Sequence, residues 1–308
     1  MEVRRCTSLG MEMHSTYPNS NWRRVKKTLL REMKDGMPIK ERYNIIYSKG
    51  EIANPILFSI SRGYFLEYGV EEYRQKCPDA DTIFYRLKYA GIEDVSKHYL
   101  QTNERILSYA KKLEVFNKPL WMGLDFHNQP WHGKDDKYAV GADLRGTNWA
   151  HRIGTIEVVI PHKRFCLGCI PVYQLTSKAK AIRTLVEEER RWATIGRLFI
   201  DRAAFNVECL KVLEDLEVPY VIPAIRNKKV ETIIREGRHL ARWVPNSNSY
   251  AHIVDYEIGQ KEKVKTKLVV IYTPPKDPKE KEDVFAFVTS LPVNLENCLE
   301  IAESYRKR

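Results

Sequence analysis

The first third of the chain carries apolar residues at helical spacing. After a polar start at residues 1–20, the segment WRRVKKTLLREMKDG predicts a helix that stops at Gly36. PDADTIFYRLKYAG opens with Asp79 and Asp81, either of which can cap a helix. IEDVSKHYLQTNERILSYAKKL continues the same spacing. The pattern therefore predicts a helical region over residues 21–115.

From about residue 116 the apolar positions form short runs that are typical of strands. KPLWMGLDFHN, DKYAVGADLRGTNWAHR and IGTIEVVIPHKRFCLGCIPV predict three strands separated by Gly and Pro. TSKAKAIRTLVEEERRWATIG predicts a helix capped by Thr176 or Ser177, and GRLFIDRAAFN a buried strand. A second helix, AAFNVECLKVLEDLEV, leads to the strand PYVIPAI. Helical crossovers imply parallel pairing, so this order predicts an α/β fold with a mixed sheet of ribonuclease-H-like type.

The last third departs from this alternation. Residues 224–290 are rich in Lys, Arg and Glu and contain the strand-like segments SYAHIVDYEIG, TKLVVIYTPP and DVFAFVTSLP. NLENCLEIAESYRKR then carries apolar residues at helical spacing but no residue that commonly ends a helix. We therefore divide the chain into a helical region 1–115, a core 116–223, a β-rich basic insertion 224–290 and the start of a helix, 291–308.

Composition narrows the class of protein. With 43% hydrophobic residues the chain can build a core, and it has no apolar run near the ~18 residues of a membrane span. The N-terminus does not resemble a signal peptide, and six scattered Cys in a chain of 308 residues favour a reducing cytoplasm. These features predict a cytoplasmic protein without a membrane partner.

The net charge of +11 raises the expectation of a polyanionic partner, most often nucleic acid. A helical module with one basic face can lay a helix in the major groove, although a solvated helical scaffold remains the alternative. The basic positions of the helical region that define this face are Arg23, Arg24, Lys26, Lys27, Arg31, Lys40 and Arg42.

Two carboxylates follow predicted central strands. Asp125 ends the apolar run LWMGLD and Asp201 ends RLFID. Functional groups gather beyond the ends of such strands, and carboxylate oxygens are the ligands that Mg²⁺ prefers. Two ions held there would support phosphodiester chemistry. The alternative is local turn or capping chemistry, with Asp201 capping a helix that starts near Ala204.

GLDFHNQPWHG, FIDRAAFN and YVIPAI, followed by a β-rich insertion, resemble the catalytic core of the DDE transposases of bacterial and archaeal insertion sequences. The resemblance extends over about residues 20–308 and points to the branch with a β-strand insertion before the third acidic residue. It implies a ribonuclease-H-like catalytic core, two Mg²⁺ or Mn²⁺ ions, and cutting and joining of double-stranded DNA at transposon ends and target. It also implies a synaptic homodimer acting at the nucleoid of a prokaryote.

By this resemblance Asp125 is the first acidic residue, Asp201 the second, and Arg202 the Arg that usually follows it. Tyr305 and Arg308 match the first two members of a Tyr-x-x-Arg-x-x-x-Glu motif. Tyr305 would contact the DNA backbone near the cut, while Arg202 and Arg308 would orient phosphate or neighbouring carboxylates. The sequence ends four positions before the motif's Glu, so we expect this chain alone to be catalytically incomplete.

Other candidate residues carry weaker signals. His127 follows Asp125 closely and is either a substrate contact or a polar loop residue. Trp243 lies among Arg238 and Arg242 in the insertion, a composition that suits stacking on an unpaired base. The resemblance implies that this insertion handles the flipped base and hairpin at the transposon end.

Two further groups are interpreted as structural. Cys166 and Cys169 form a single CxxC, which with His162 provides too few ligands for zinc, so we expect free thiols. The run Glu187 to Glu189 is expected to be a solvated helix face. Two alternatives to a transposase stay open: a non-catalytic DNA-binding remnant of a mobile element, and a ribonuclease-H-like nuclease unrelated to transposition.

Overall fold

The computed structural model describes residues 19–39, 46–73, 75–133, 136–160, 163–275, 277 and 279–307. The chain divides into two compact units, Met1–Thr102 and Asn103–Arg308. Within the described ranges, no helix combines the length and the apolar character that a membrane crossing requires.

The smaller unit is helical in its described part, as predicted. Asp79 caps its fourth helix by accepting a hydrogen bond from the Thr82 amide at 2.6 Å. On the predicted basic face Lys27 and Arg31 are exposed, whereas Lys40 and Arg42 lie outside the described residues. The helices are α1 (Asn19–Gly36), α2 (Lys49–Arg62), α3 (Leu66–Glu72), α4 (Ala80–Leu87) and α5 (Ile92–Lys112), the last of which continues into the larger unit.

The larger unit is built on one mixed sheet of ten strands. Three further helices, α6 (Lys178–Glu189), α7 (Val207–Asp215) and α8 (Lys228–Leu240), connect parts of this sheet, and α9 (Cys298–Arg306) follows its last strand. The strands are β1 (Leu120–Pro130), β2 (Val140–Leu144), β3 (Thr147–Ile160), β4 (Lys163–Val172), β5 (Ile195–Ile200), β6 (Tyr220–Pro223), β7 (Arg242–Trp243), β8 (Tyr250–Ile258), β9 (Val264–Thr273) and β10 (Asp283–Thr289).

The strand order confirms the predicted fold class. Strand β3 pairs antiparallel with β1 and with β4, while β1, β5 and β6 run parallel to one another as neighbours. The order β4-β3-β1-β5-β6 is the arrangement expected of a ribonuclease-H-like sheet, with α6 and α7 as the crossovers. The short β2 is an additional strand that pairs with the beginning of β3.

Strand alternation builds a core on each side of the sheet. Leu120, Met122 and Leu124 of β1 point into the larger core together with residues of α6 and α7. Trp121 packs on the other side, where a second core contains Phe199 of β5 and residues of α9. Because successive side chains of a strand face opposite sides, these residues tell which face each neighbouring side chain occupies.

The region 224–290 contains the three predicted strands as β8, β9 and β10. Strand β10 pairs with both β6 and β9, so the region extends the same sheet. It also contains α8, which was not predicted, because the high charge content and the strand-like segments of this region favoured strands. The signal was present: the Asn227 side chain accepts from the Val230 amide at 3.0 Å and caps the helix.

The interpretation of Glu189 as solvated is wrong. Its exposed fraction is 1%, and its carboxyl group lies against Gly168 of β4, where a β-carbon would have no room. Burial raises the pKa of this carboxyl to about 8. Its Oε2 atom has no hydrogen-bond partner among the described residues. Glu189 therefore lies on the face of α6 that packs against the sheet.

Candidate active site at the strand ends

The sheet brings Asp125 and Asp201 together. Leu124 of β1 is the register partner of Ile200 of β5, and each aspartate is the next residue of its chain. Neighbouring strands lie about 4.8 Å apart, so the two backbones at the aspartates are close. Both carboxylates therefore directly follow the last residues that pair β1 with β5, but β1 does not end there as predicted: it continues to Pro130 and stays paired with β3.

Alternation sets the direction of the two side chains. Leu124 and Ile200 point into the core formed with α6 and α7, whereas Phe199 points into the core that contains α9. Asp201 keeps an extended backbone, with φ −66° and ψ 158°. Asp125 and Asp201 accordingly belong to the α9 side of the sheet.

Each carboxylate has one oxygen oriented by the main chain. Asp201 Oδ1 accepts from the Arg202 amide at 2.6 Å, and Asp125 Oδ1 accepts from the Phe126 amide at 2.8 Å. Asp201 caps the single 3₁₀ turn Arg202–Ala204, while Asn206 caps α7 itself. Asp201 is thus a cap of the short turn and not of α7. This capping bond uses one carboxylate oxygen and leaves the other for further ligands.

His127 lies beside Asp125 on the same side of β1. Its Nε2 atom is 4.0 Å from Asp125 Oδ2 and 3.3 Å from the hydroxyl oxygen of Thr155. Thr155 of β3 is the register partner of Asp125. The sequence alone could not show Thr155 as a neighbour, because it lies thirty residues further along the chain.

The predicted residues of the C-terminal helix are only partly described. The Tyr305 ring packs 6.1 Å from the ring of Phe199 and 5.9 Å from that of Phe285. Phe199 is two residues before Asp201 in the chain, so Tyr305 lies on the same face as the aspartates. Arg202 is exposed directly after Asp201. Arg308 lies outside the described residues.

The aromatic and basic residues of the insertion are distant from the aspartates across the sheet. Trp243 and Arg242 form β7, which is separated from β5 by four other strands. Five strand spacings amount to roughly 24 Å. Trp243 is 51% exposed and packs edge-on against Tyr250, with 5.3 Å between ring centroids. About half of the Trp243 side chain therefore remains accessible to solvent.

Arg238 has partners within the fold. It makes an ion pair with Glu282 at 2.8 Å, and its guanidinium lies 4.9 Å from the ring centroid of Tyr250 and 5.3 Å from that of Tyr272. Glu282 is distant in the sequence, so no local pattern indicated this pair. Arg238 serves first to join α8 to the sheet, and its role in DNA binding stays a prediction.

Other metal sites find no support in the described chain. Among the described residues, no group of three or more His, Cys, Asp and Glu side chains could hold an ion. Burial, with the neighbouring Cys166, raises the pKa of the Cys169 thiol to about 11, which disfavours the thiolate that binds zinc. His162 lies outside the described residues. The absence of a three-residue group among the described residues includes the surroundings of Asp125 and Asp201, so a metal at these aspartates stays a prediction.

No protein-family model matches the chain, and no curated protein matches it. Among solved structures, it is similar to a chain of the piggyBac transposase synaptic complex with hairpin DNA, with 8% sequence identity and a TM-score of 0.43. The alignment covers 92% of this chain and 64% of the other, so this chain spans less than two thirds of that chain's length.

Proposed function

We propose that this protein is a DNA transposase of the DDE type, which cuts and joins DNA phosphodiesters at the ends of a prokaryotic insertion sequence. The observation that carries the proposal is the aspartate pair: Asp125 and Asp201 follow register partners of adjacent parallel strands, on one face of a ribonuclease-H-like sheet. The sequence resemblance around both residues supports the same function.

The donor set fits Mg²⁺ or Mn²⁺. Each aspartate has one oxygen held by a main-chain amide and a second oxygen without a hydrogen bond among the described residues. Hard divalent ions take such oxygens together with water and phosphate oxygens. We propose that Asp125 and Asp201 hold two ions, which supply activation of a water or 3′-hydroxyl and stabilisation of the leaving oxygen.

The protein's own residues would orient the carboxylates and the DNA. The amides of Phe126 and Arg202 fix the two carboxylates, and the exposed Arg202 side chain can bind a phosphate beside them. His127 is positioned for a substrate contact next to Asp125. Tyr305 lies on the same face and would approach the backbone near the cut.

The remaining DNA contacts come from charge and stacking. A net charge of +11 favours double-stranded DNA at transposon ends and target, and exposed Trp243 can stack on an unpaired base there. A synaptic homodimer at the nucleoid would bring two ends together. A dimer would also allow residues of β7 and the aspartates of different subunits to act on one DNA end.

The test is metal-dependent nicking of supercoiled plasmid by the full chain. With Mn²⁺ we expect only weak nicking by the wild type, because the described residues supply two carboxylates and no third metal-binding side chain, and we expect its loss in Asp125→Asn and in Asp201→Asn. Asp255→Asn is the matched control, because this β8 side chain is 88% exposed and remote from the site. Nicking that persists in both site variants would refute the proposal.

One observation favours a second candidate, a DNA-binding protein without catalysis: the described residues contain no cluster of three metal-binding side chains. Specific binding of DNA ends without nicking would support that candidate. A nuclease unrelated to transposition would nick DNA but would not join a cut 3′ end to a target, which a strand-transfer assay measures.

A further inference from the structure

Arg197 of β5 connects three elements on the α9 side of the sheet. Its guanidinium lies 4.8 Å from the ring centroid of Trp121 of β1. Its Nη1 atom donates to Glu300 Oε1 at 2.9 Å and to Ser304 Oγ at 2.7 Å. Only 13% of the Arg197 side chain is exposed. The arginine therefore joins α9 to the strand pair β1 and β5.

The two acceptors define the orientation of α9. Glu300 and Ser304 are one helical turn apart, so a single guanidinium that binds both fixes the rotation of the helix and its height on the sheet. Ser304 is 4% exposed and also donates to the Ile301 carbonyl at 2.7 Å. A slide or rotation of α9 would break both contacts of Arg197.

Arg197 and Trp121 lie on the same two strands as the aspartates, at equal distances along the chain from them. Trp121 and Arg197 are register partners, and they precede Asp125 and Asp201 by four residues each. Four residues along a strand correspond to about 13 Å, and an even spacing keeps both pairs on one face. The same two strands thus hold α9 at one end and present the carboxylates at the other.

The helix runs from the arginine towards the aspartate end. Glu300 and Ser304 contact Arg197, while Tyr305 packs on Phe199, two residues closer to Asp201. Arg306 then makes an ion pair with Asp283 at 3.0 Å. A shift of α9 along the sheet would therefore also move the residues at its C-terminal end, which lie on the aspartate side of Arg197.

Stability alone does not require this arginine. Burying a charge has a desolvation cost that an apolar residue avoids, and Arg197 Nε has no hydrogen-bond partner among the described residues. We propose that Arg197 is a positioning residue that sets α9 against β1 and β5, and so sets which helix residues face Asp125 and Asp201. Its catalytic consequence rests on the proposed function.

Hydrogen exchange of the full chain tests the positioning. In Arg197→Met, amides of residues 298–307 should exchange about tenfold to hundredfold faster, as expected for the loss of charge-assisted hydrogen bonds. Glu300→Gln should give a smaller increase in the same residues, and Arg197→Lys should restore part of the protection. Arg183→Met is the control, since Arg183 pairs with Asp215 and has no contact with α9.

Nicking kinetics separate positioning from general stability. We expect Arg197→Met to lower kcat at least tenfold with an unchanged KM for DNA, and Arg197→Lys to recover part of kcat. Unchanged exchange of α9 in Arg197→Met, or equal acceleration over the whole larger unit, would overturn the proposal. Faster α9 exchange in Arg197→Met, together with a wild type that never nicks DNA, would support the positioning and refute the proposed function instead.

Discussion

A pH-dependent stability of the larger unit is expected from Glu189. This carboxyl is buried against Gly168, and burial raises its pKa to about 8, compared with 4.5 for an exposed glutamate. The folded state therefore holds a proton that the unfolded chain releases above pH 4.5. The group stabilises the fold fully below that pH, and its contribution is lost as the pH rises through 8.

The magnitude follows from linkage. Each pH unit between the two pKa values lowers the free energy of unfolding by about 1.4 kcal/mol, so the rise from pH 5.5 to 7.5 lowers it by roughly 3 kcal/mol. For a unit of this size that corresponds to a fall in Tm of roughly 5–10 °C. Glu189→Gln removes the titration and should remove this part of the slope, whatever its effect on absolute stability.

The assay is thermal or urea unfolding at pH 5.5, 6.5 and 7.5 for the wild type and Glu189→Gln. Glu187→Gln is the matched control, because this side chain lies on the same helix and is 53% exposed. The control should follow the wild type. If Glu189→Gln runs parallel to the wild type over this range, Glu189 is ionised in the folded protein and the reasoning fails.

Three further predictions concern packing and DNA. Gly168→Ala should destabilise the larger unit by about 1–3 kcal/mol in urea unfolding, because the added β-carbon would meet the Glu189 carboxyl. An unchanged urea midpoint of unfolding would contradict the close packing. Trp243→Ala should weaken the binding of DNA with unpaired bases by about 1–3 kcal/mol in fluorescence titrations and leave the binding of fully paired duplex almost unchanged. Equal losses of affinity for both DNAs would exclude stacking. Arg242→Ala should lower the slope of log Kd against log salt by about 1 on any duplex, and an unchanged slope would exclude a phosphate contact.

Much of the fold is legible in the sequence because helices and strands have local periods. The alternation of apolar runs with amphipathic segments predicted the central strands, the two crossovers and the helical N-terminal region. The sequence narrowed each of two caps to a pair of residues, since a cap bonds an amide two or three residues away, and the structure selects Asp79 over Asp81 and Ser177 over Thr176. Asp125 and Asp201 were found by the same logic, because each directly follows a buried run.

Contacts between residues distant in the chain were decided only by the tertiary structure. The register of β1 with β5 puts Asp125 and Asp201 side by side, and one residue of slip would have turned one of them to the other face. The pair of Arg238 with Glu282 likewise joins segments that no local pattern connects.

The sequence by itself therefore determined most of the elements and the two carboxylates that follow buried runs, but neither α8 nor the continuation of β1 to Pro130. The tertiary structure decided which side of Glu189's helix is buried, which strand lies at the far edge with Trp243, and how Arg197 holds α9. The reason is physical. Periodicity records only that a face is apolar, whereas burial, register and pairing depend on what packs against that face.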